Sequence, residues 1–172
     1  MQATCRCGEV VLDLRGTPVV TTTCYCSDCQ TAALHFENRF GILIMNEDGG
    51  TDHVVWRKDR VRCLRGAEHL AEYRLSRQSA TRRIIATCCG TPMFLDYTKG
   101  GWATIYRDRL PPEERPKTEM RVMLRDRVGG DRLPDDCKNL PRYSLGLFAR
   151  LLTSWSFMGF SRRGIDFVHR EL

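Results

Sequence analysis

The chain is predicted to fold mainly as antiparallel β-sheet closed by a C-terminal helix. Short runs of alternating apolar and polar residues dominate its first two thirds. Turn signals separate those runs at spacings too short for crossover helices. A helical apolar period occurs after Pro141.

Residues 10–14 and 19–23 read as strands flanking the turn Arg15-Gly16-Thr17-Pro18. Residues 53–56, 61–64, 70–75, 83–86 and 102–106 continue the pattern, with Asp48-Gly49-Gly50, Arg65-Gly66 and Lys99-Gly100-Gly101 as punctuation. From 110 to 141 the prolines and mixed charges predict an extended connection holding one strand near 120–124. Leu145, Phe148, Leu151, Leu152 and Trp155 then recur at three and four residues, one helical face able to pack on a sheet. The expected organisation is a β domain over 1–110, with the connection and helix of 111–172 packed on it.

Composition narrows the function classes. The 172 residues carry a formal net charge of +6, but the arginines are scattered from Arg6 to Arg170, which gives little support to a nucleic-acid partner. The longest apolar-rich stretch, 145–160, is interrupted by Arg150, Thr153, Ser154 and Ser156 and is too polar to span a membrane. The opening Met-Gln-Ala-Thr-Cys lacks the basic and apolar regions of a secretory signal, so a cytoplasmic protein with reduced thiols is expected.

Reduced thiols matter because there are nine cysteines, and most are clustered: Cys5-Arg6-Cys7-Gly8, Cys24-Tyr25-Cys26-Ser27-Asp28-Cys29 and Cys88-Cys89-Gly90. Thiols one or two residues apart are badly placed to bridge each other but can turn toward a shared zinc ion. Cys5, Cys7 and Cys89 supply three ligands of one site; the fourth is Cys88, water or another group, because adjacent cysteines share an ion only if the backbone bends. Cys24, Cys26 and Cys29 form a second set, with Cys26-x-x-Cys29 opening a short helix over 30–34. Three sulfurs leave a coordination position free, as catalytic zinc requires, although the two sets could also merge into one four-cysteine site. Cys63 and Cys137 stand alone and read as small apolar residues.

The order of these motifs resembles the glutathione-dependent formaldehyde-activating enzyme family, which includes the domain of centromere protein V and has the Mss4-like zinc-binding β fold (β-tent). Cys5-Arg6-Cys7-Gly8, Cys24-Tyr25-Cys26-Ser27-Asp28-Cys29, Tyr73-Arg74-Leu75-Ser76 and Cys88-Cys89-Gly90-Thr91 carry the resemblance over roughly residues 1–106. One departure alters the structural site, the first cysteine of the late Cys-x-x-Cys pair falling on Ala86, and the region after about 110 does not follow the family, which implies a divergent subgroup. The resemblance implies a structural zinc on Cys5, Cys7 and Cys89, with Cys88 as substitute for the missing ligand, and a catalytic zinc on Cys24, Cys26 and Cys29. It implies a carbon–sulfur lyase joining a small thiol, glutathione, to formaldehyde or acting on a related thiol adduct. Arg82, Arg83 and Arg107 are candidates for holding glutathione's carboxylates, while His35, His53 and His69 offer no assignable base. The altered late motif also admits a non-catalytic, zinc-stabilised module that binds protein or nucleic acid.

Overall fold

The computed structural model describes residues 1–130, 132–161 and 164–172. Strands β1 (Gln2–Thr4), β2 (Val11–Leu14) and β3 (Val20–Cys24) lead into helix α1 (Ser27–Phe40). Then come β4 (Thr51–Arg57), β5 (Val61–Arg65), β6 (Leu70–Tyr73), β7 (Thr81–Ala86), β8 (Thr91–Tyr97) and β9 (Trp102–Tyr106). The C-terminal third adds β10 (Met120–Val122), β11 (Lys138–Asn139), helix α2 (Leu145–Ser156) and β12 (Arg170–Glu171). Among the described residues these strands make a small sheet, β1-β2-β5, and a large one, β11-β10-β3-β4-β9-β8-β7-β6-β12. The mainly β class with a C-terminal helix is therefore what the chain adopts.

Both faces of the large sheet are covered, and strand alternation distributes its side chains between them. On β4, Val54 and Trp56 join Leu12, Leu14, Ile84, Phe94 and Ile105 in the core shared with the small sheet. Val55, between them, turns to the opposite face and packs with Val20, Val122, Leu147 and Leu151. Further along that face, Ala32, Ala33 and Phe36 of α1 pack on Ile85 and Tyr106. Helix α1 runs 14 residues, well beyond the short helix expected, and stops at Gly41, whose N–H donates to the Glu37 carbonyl at 2.8 Å. Helix α2 is capped by the Ser144 hydroxyl, which accepts from the Leu147 N–H at 3.1 Å.

Several elements depart from the sequence reading. Strand β8 was hidden by Pro92, which has no N–H for a ladder. The pairing shifts between Ile84, opposite Phe94, and Ile85, opposite Pro92, so the proline sits at an irregularity that absorbs the missing donor. Strand β10 exists as expected but pairs parallel to β3, Met120 opposite Thr22 and Val122 opposite Cys24. Arg121 holds the following loop by its bonds to Asp136 Oδ1, 2.7 Å, and the Pro134 carbonyl, 3.1 Å. On α2 the buried residues are Leu147 and Leu151, whereas Leu145 and Leu152 of the expected apolar face are exposed. Trp155 packs edge-on to Trp102 and lies so close to Gly101 that a Cβ there would come within 2.2 Å of its ring.

Asp96 of β8 is a buried carboxylate joining several elements. Lys58 Nζ, just after β4, lies 2.6 Å from its Oδ1, and Arg82 of β7 approaches Oδ2 at 2.5 Å. Arg82 also bonds Glu72 of β6 at 2.8 Å, and Lys58 donates to the Tyr97 carbonyl at 2.7 Å. Removing one partner from such a cluster leaves uncompensated buried charge, which costs about 3–5 kcal/mol. Asp96→Asn is expected to lower unfolding free energy by about that amount in chemical denaturation, and Lys58→Met in the same background to recover part of it.

Candidate metal centres

Two groups of thiols converge among the described residues, and they remain separate. The first joins the loop after β1 to the turn between β7 and β8. Cys5 and Cys7 present sulfurs 3.5 Å apart; Cys88 lies 3.9 Å from Cys5 and 3.4 Å from Cys7; Cys89 lies 3.9 Å from Cys88. All four sulfurs lie within 4.8 Å of one another. Metal–sulfur arms of about 2.3 Å set tetrahedrally give edges of about 3.8 Å, so the set fits one ion. The adjacent Cys88 and Cys89 share the site because the backbone turns at Gly90, whose φ of 71° favours glycine and whose hydrogen faces Phe40 where a Cβ would come within 2.6 Å. Ala86, where the expected ligand is missing, is buried in the core between the sheets.

Around these sulfurs the hydrogen bonds favour thiolate unevenly. The Val10 N–H donates to Cys5 Sγ at 3.2 Å, yet burial still raises the Cys5 thiol. Burial opposes the Cys89 thiolate as well, but hydrogen bonds from Thr91 and Cys7 prevail and bring that thiol down to about 6. Cys88 is pushed up by burial and by its hydrogen bond and charge contacts with the neighbouring sulfurs. Four packed sulfurs repel each other as anions, and a divalent cation reverses that preference.

The second group forms where β3 enters α1. Cys24 ends the strand, Cys26 is the helix N-cap and Cys29 lies in the first turn, where its N–H donates to the Cys26 carbonyl at 3.0 Å. Their sulfurs lie within 4.8 Å of one another. Hydrogen bonds from Cys24 and Cys29 hold the Cys26 thiol down to about 2, while its bond with Cys26 pushes Cys24 up to about 11 and bonds with Cys24 and Cys26 raise Cys29. The N-terminal end of α1 favours negative charge at Cys26. Gln30 fixes the junction by donating to the Tyr25 and Asp126 carbonyls at 2.6 and 2.8 Å.

This trio borders a cavity of about 440 Å³ whose walls include Cys24, Cys29, His53 and Tyr143. Tyr143 was not anticipated; it precedes the α2 cap and turns its hydroxyl to within 3.7 Å of Cys24 Sγ. Burial, followed by the charges of Cys24 and Cys26, raises its phenol and keeps it protonated. His53 is fully buried, which depresses its pKa to about 4, and its Nε2 has no hydrogen-bond partner among the described residues. His35 instead stacks on Tyr73 at 4.4 Å, and His69 lies 3.6 Å from Glu68.

The three arginines considered for carboxylate binding differ sharply. Arg82 is committed to Asp96 and Glu72, and Arg107 to Asp52 and the Pro116 carbonyl. Arg83 is buried and donates to the Asp28 carbonyl at 3.1 Å, with Nε and Nη1 lacking hydrogen-bond partners among the described residues. Cys63 and Cys137 lie outside both thiol groups: Cys63 packs at the edge of the core, and Cys137 receives a hydrogen bond from Arg121 at 3.1 Å.

Residues 1–41 match the family model of the glutathione-dependent formaldehyde-activating enzyme. The match takes in Cys5, Cys7 and the whole second group, and ends before Cys88, Cys89 and the C-terminal third. Among solved structures, a Rhodobacter sphaeroides protein is similar, with 19% identity and a TM-score of 0.46, over 69% of this chain and 97% of that one. No curated protein sequence matches the chain. No described helix is long and apolar enough to cross a membrane.

Metal analysis of protein purified without chelator is expected to give one ion per thiol group. Cys5→Ser and Cys88→Ser should lower the thermal midpoint more than Cys24→Ser, because the four-sulfur set ties segments 83 residues apart whereas the trio is local. Equal losses at all three positions would contradict separate roles. His53 gives a pH signature: between its unfolded value of 6.5 and its folded value of about 4 the unfolded chain binds the extra proton, so stability falls as pH drops through that window. Denaturation at pH 7 and pH 5 should show a loss of about 2 kcal/mol that His53→Gln removes.

Proposed function

We propose that Cys24, Cys26 and Cys29 hold a zinc ion whose open side receives a small thiol, and that the protein makes or breaks the carbon–sulfur bond between that thiol and a small aldehyde. The observation that carries this reading is the contrast between the two thiol groups. Four sulfurs lie close enough to share one ion at the first, whereas the second has three, two of which, Cys24 and Cys29, line a cavity, the contrast expected between a closed structural and an open catalytic centre. The match of residues 1–41 supports the same reading, and glutathione and formaldehyde are the thiol and aldehyde it suggests. Cys5, Cys7, Cys88 and Cys89 would then hold a structural zinc.

Zinc, when bound, supplies acidification of a coordinated thiol and polarisation of an aldehyde oxygen. The chain's own residues shape the remainder. The proton that the thiol loses passes to water, and water later returns one to Tyr143, because His53 at the cavity wall is held neutral by burial and is a poor base. As the sulfur lone pair forms the bond to carbon, the carbonyl π electrons pass to oxygen, and the Tyr143 hydroxyl is placed to deliver a proton there. Thiol and aldehyde thus give an S-hydroxyalkyl adduct with no net gain or loss of protons, and the reverse path releases them.

Exchange between a free thiol plus formaldehyde and their adduct, followed by NMR with glutathione and with phenylmethanethiol in turn, tests the activity, which requires that at least one of the two be accepted. Wild-type protein should accelerate exchange, Cys29→Ser should abolish the acceleration, and Tyr143→Phe should reduce it by roughly 10²–10⁴-fold without loss of metal. A protein that keeps both ions and accelerates nothing would instead be a zinc-stabilised binding module.

A further inference from the structure

The geometry points to a thiol with an apolar carbon skeleton, alkyl or aryl, as the molecule received beside Cys24 and Cys29. This rests on the reading of that trio as a thiol-binding centre and names its substrate class. The 440 Å³ cavity falls at the lower end of the range for small-molecule sites. Val55, Leu95, Trp102, Val122, Leu147 and Phe148 form its apolar wall beside the hydroxyls of Thr22, Thr81 and Thr104, and among the described residues no Asp, Glu, Lys or Arg lines it. His53, which does, is uncharged near neutral pH.

A peptide thiol with two carboxylates and an ammonium group would give up hydration here without meeting an opposite charge, which is unfavourable. The arginines do not remedy this. Arg82 and Arg107 are paired elsewhere, and Arg83, the one with unfilled donors, is not part of the wall. An apolar chain, in contrast, gains transfer free energy along the apolar part of the wall while its sulfur meets Cys24 and Cys29, which line the same cavity.

The origin of the walls explains how such a preference arises. The three cysteines lie in the segment matched by the family model, whereas Val122, Leu147 and Phe148 come from β10 and α2, far beyond residue 41. The reacting end and the selecting surface therefore come from different parts of the chain, and the second does not carry the preference of the first.

Calorimetric titration of the metal-loaded protein separates the possibilities. The thiols are ethanethiol, propanethiol, butanethiol, phenylmethanethiol, 2-mercaptoethanol and glutathione, each with its S-methyl form as control. Affinity is expected to rise roughly fourfold per methylene along the alkyl series, and phenylmethanethiol should bind at least about tenfold more tightly than glutathione. Leu151→Asn should weaken the apolar thiols, and so should Phe148→Asp at a half-exposed position; an unchanged thermal midpoint and metal content of the second variant separates lost binding from misfolding. Glutathione binding as tightly as the apolar thiols would overturn the inference and leave the thiol-binding centre standing. Free thiols binding no better than their S-methyl forms would overturn the thiol-binding centre itself, and absence of binding by any of the compounds would overturn both.

Discussion

A carboxylate buried in the middle of the sheet sets the terms for much of this structure. Asp96 sits on β8, and its two oxygens are met by a lysine from the β4–β5 connection and an arginine from β7, with Glu72 of β6 sharing the arginine. Such a cluster is no more stabilising than a well-packed apolar one, but it tolerates little displacement, because each charge is stable only beside its partner. The Arg82 guanidinium also donates to the Ile165 carbonyl at 3.3 Å, which draws the C-terminal segment onto the same point. The alternation that puts Asp96 and Arg82 on one face puts Arg83 and Leu95 on the other, toward α1 and the cavity.

The two thiol groups use the chain in opposite ways. Cys5 and Cys7 meet Cys88 and Cys89 across most of the N-terminal half, so closing that group fixes the first loop against the β7–β8 turn. Cys24, Cys26 and Cys29 lie within six residues of one another at a strand-to-helix junction, and little tertiary structure is needed to gather them. What tertiary structure adds there is the surroundings: Tyr143 from before α2, His53 from β4, and the apolar wall of β10 and α2. Local chemistry and distant environment thus meet at one cavity.

The sequence pattern made much of this legible, within physical limits. Period-2 alternation identified the strands that present apolar residues to a core, as at Val54, Val55 and Trp56, and cysteine spacing marked the local trio. It did not reveal β8, because Pro92 reads as a strand breaker until the irregularity opposite Ile85 is seen. It could not decide between Cys88 and another fourth ligand, because the direction of adjacent side chains depends on the turn at Gly90 and its fit against Phe40. Nor could it separate Arg83 from Arg82 and Arg107, since all three look alike until their partners are known.

The sequence by itself determined the fold class, the helical period of the C-terminal segment and the clustering of thiols, because each depends on residues within one or two turns or strand repeats of one another. The tertiary structure alone decided that the thiols form two groups, that β10 returns parallel to β3, and that Cys24 and Cys29 face a largely apolar cavity that Tyr143 also lines. Those outcomes depend on contacts between residues about a hundred positions apart, such as Cys24 with Tyr143, and no local periodicity encodes which distant side chains the packed core will bring together.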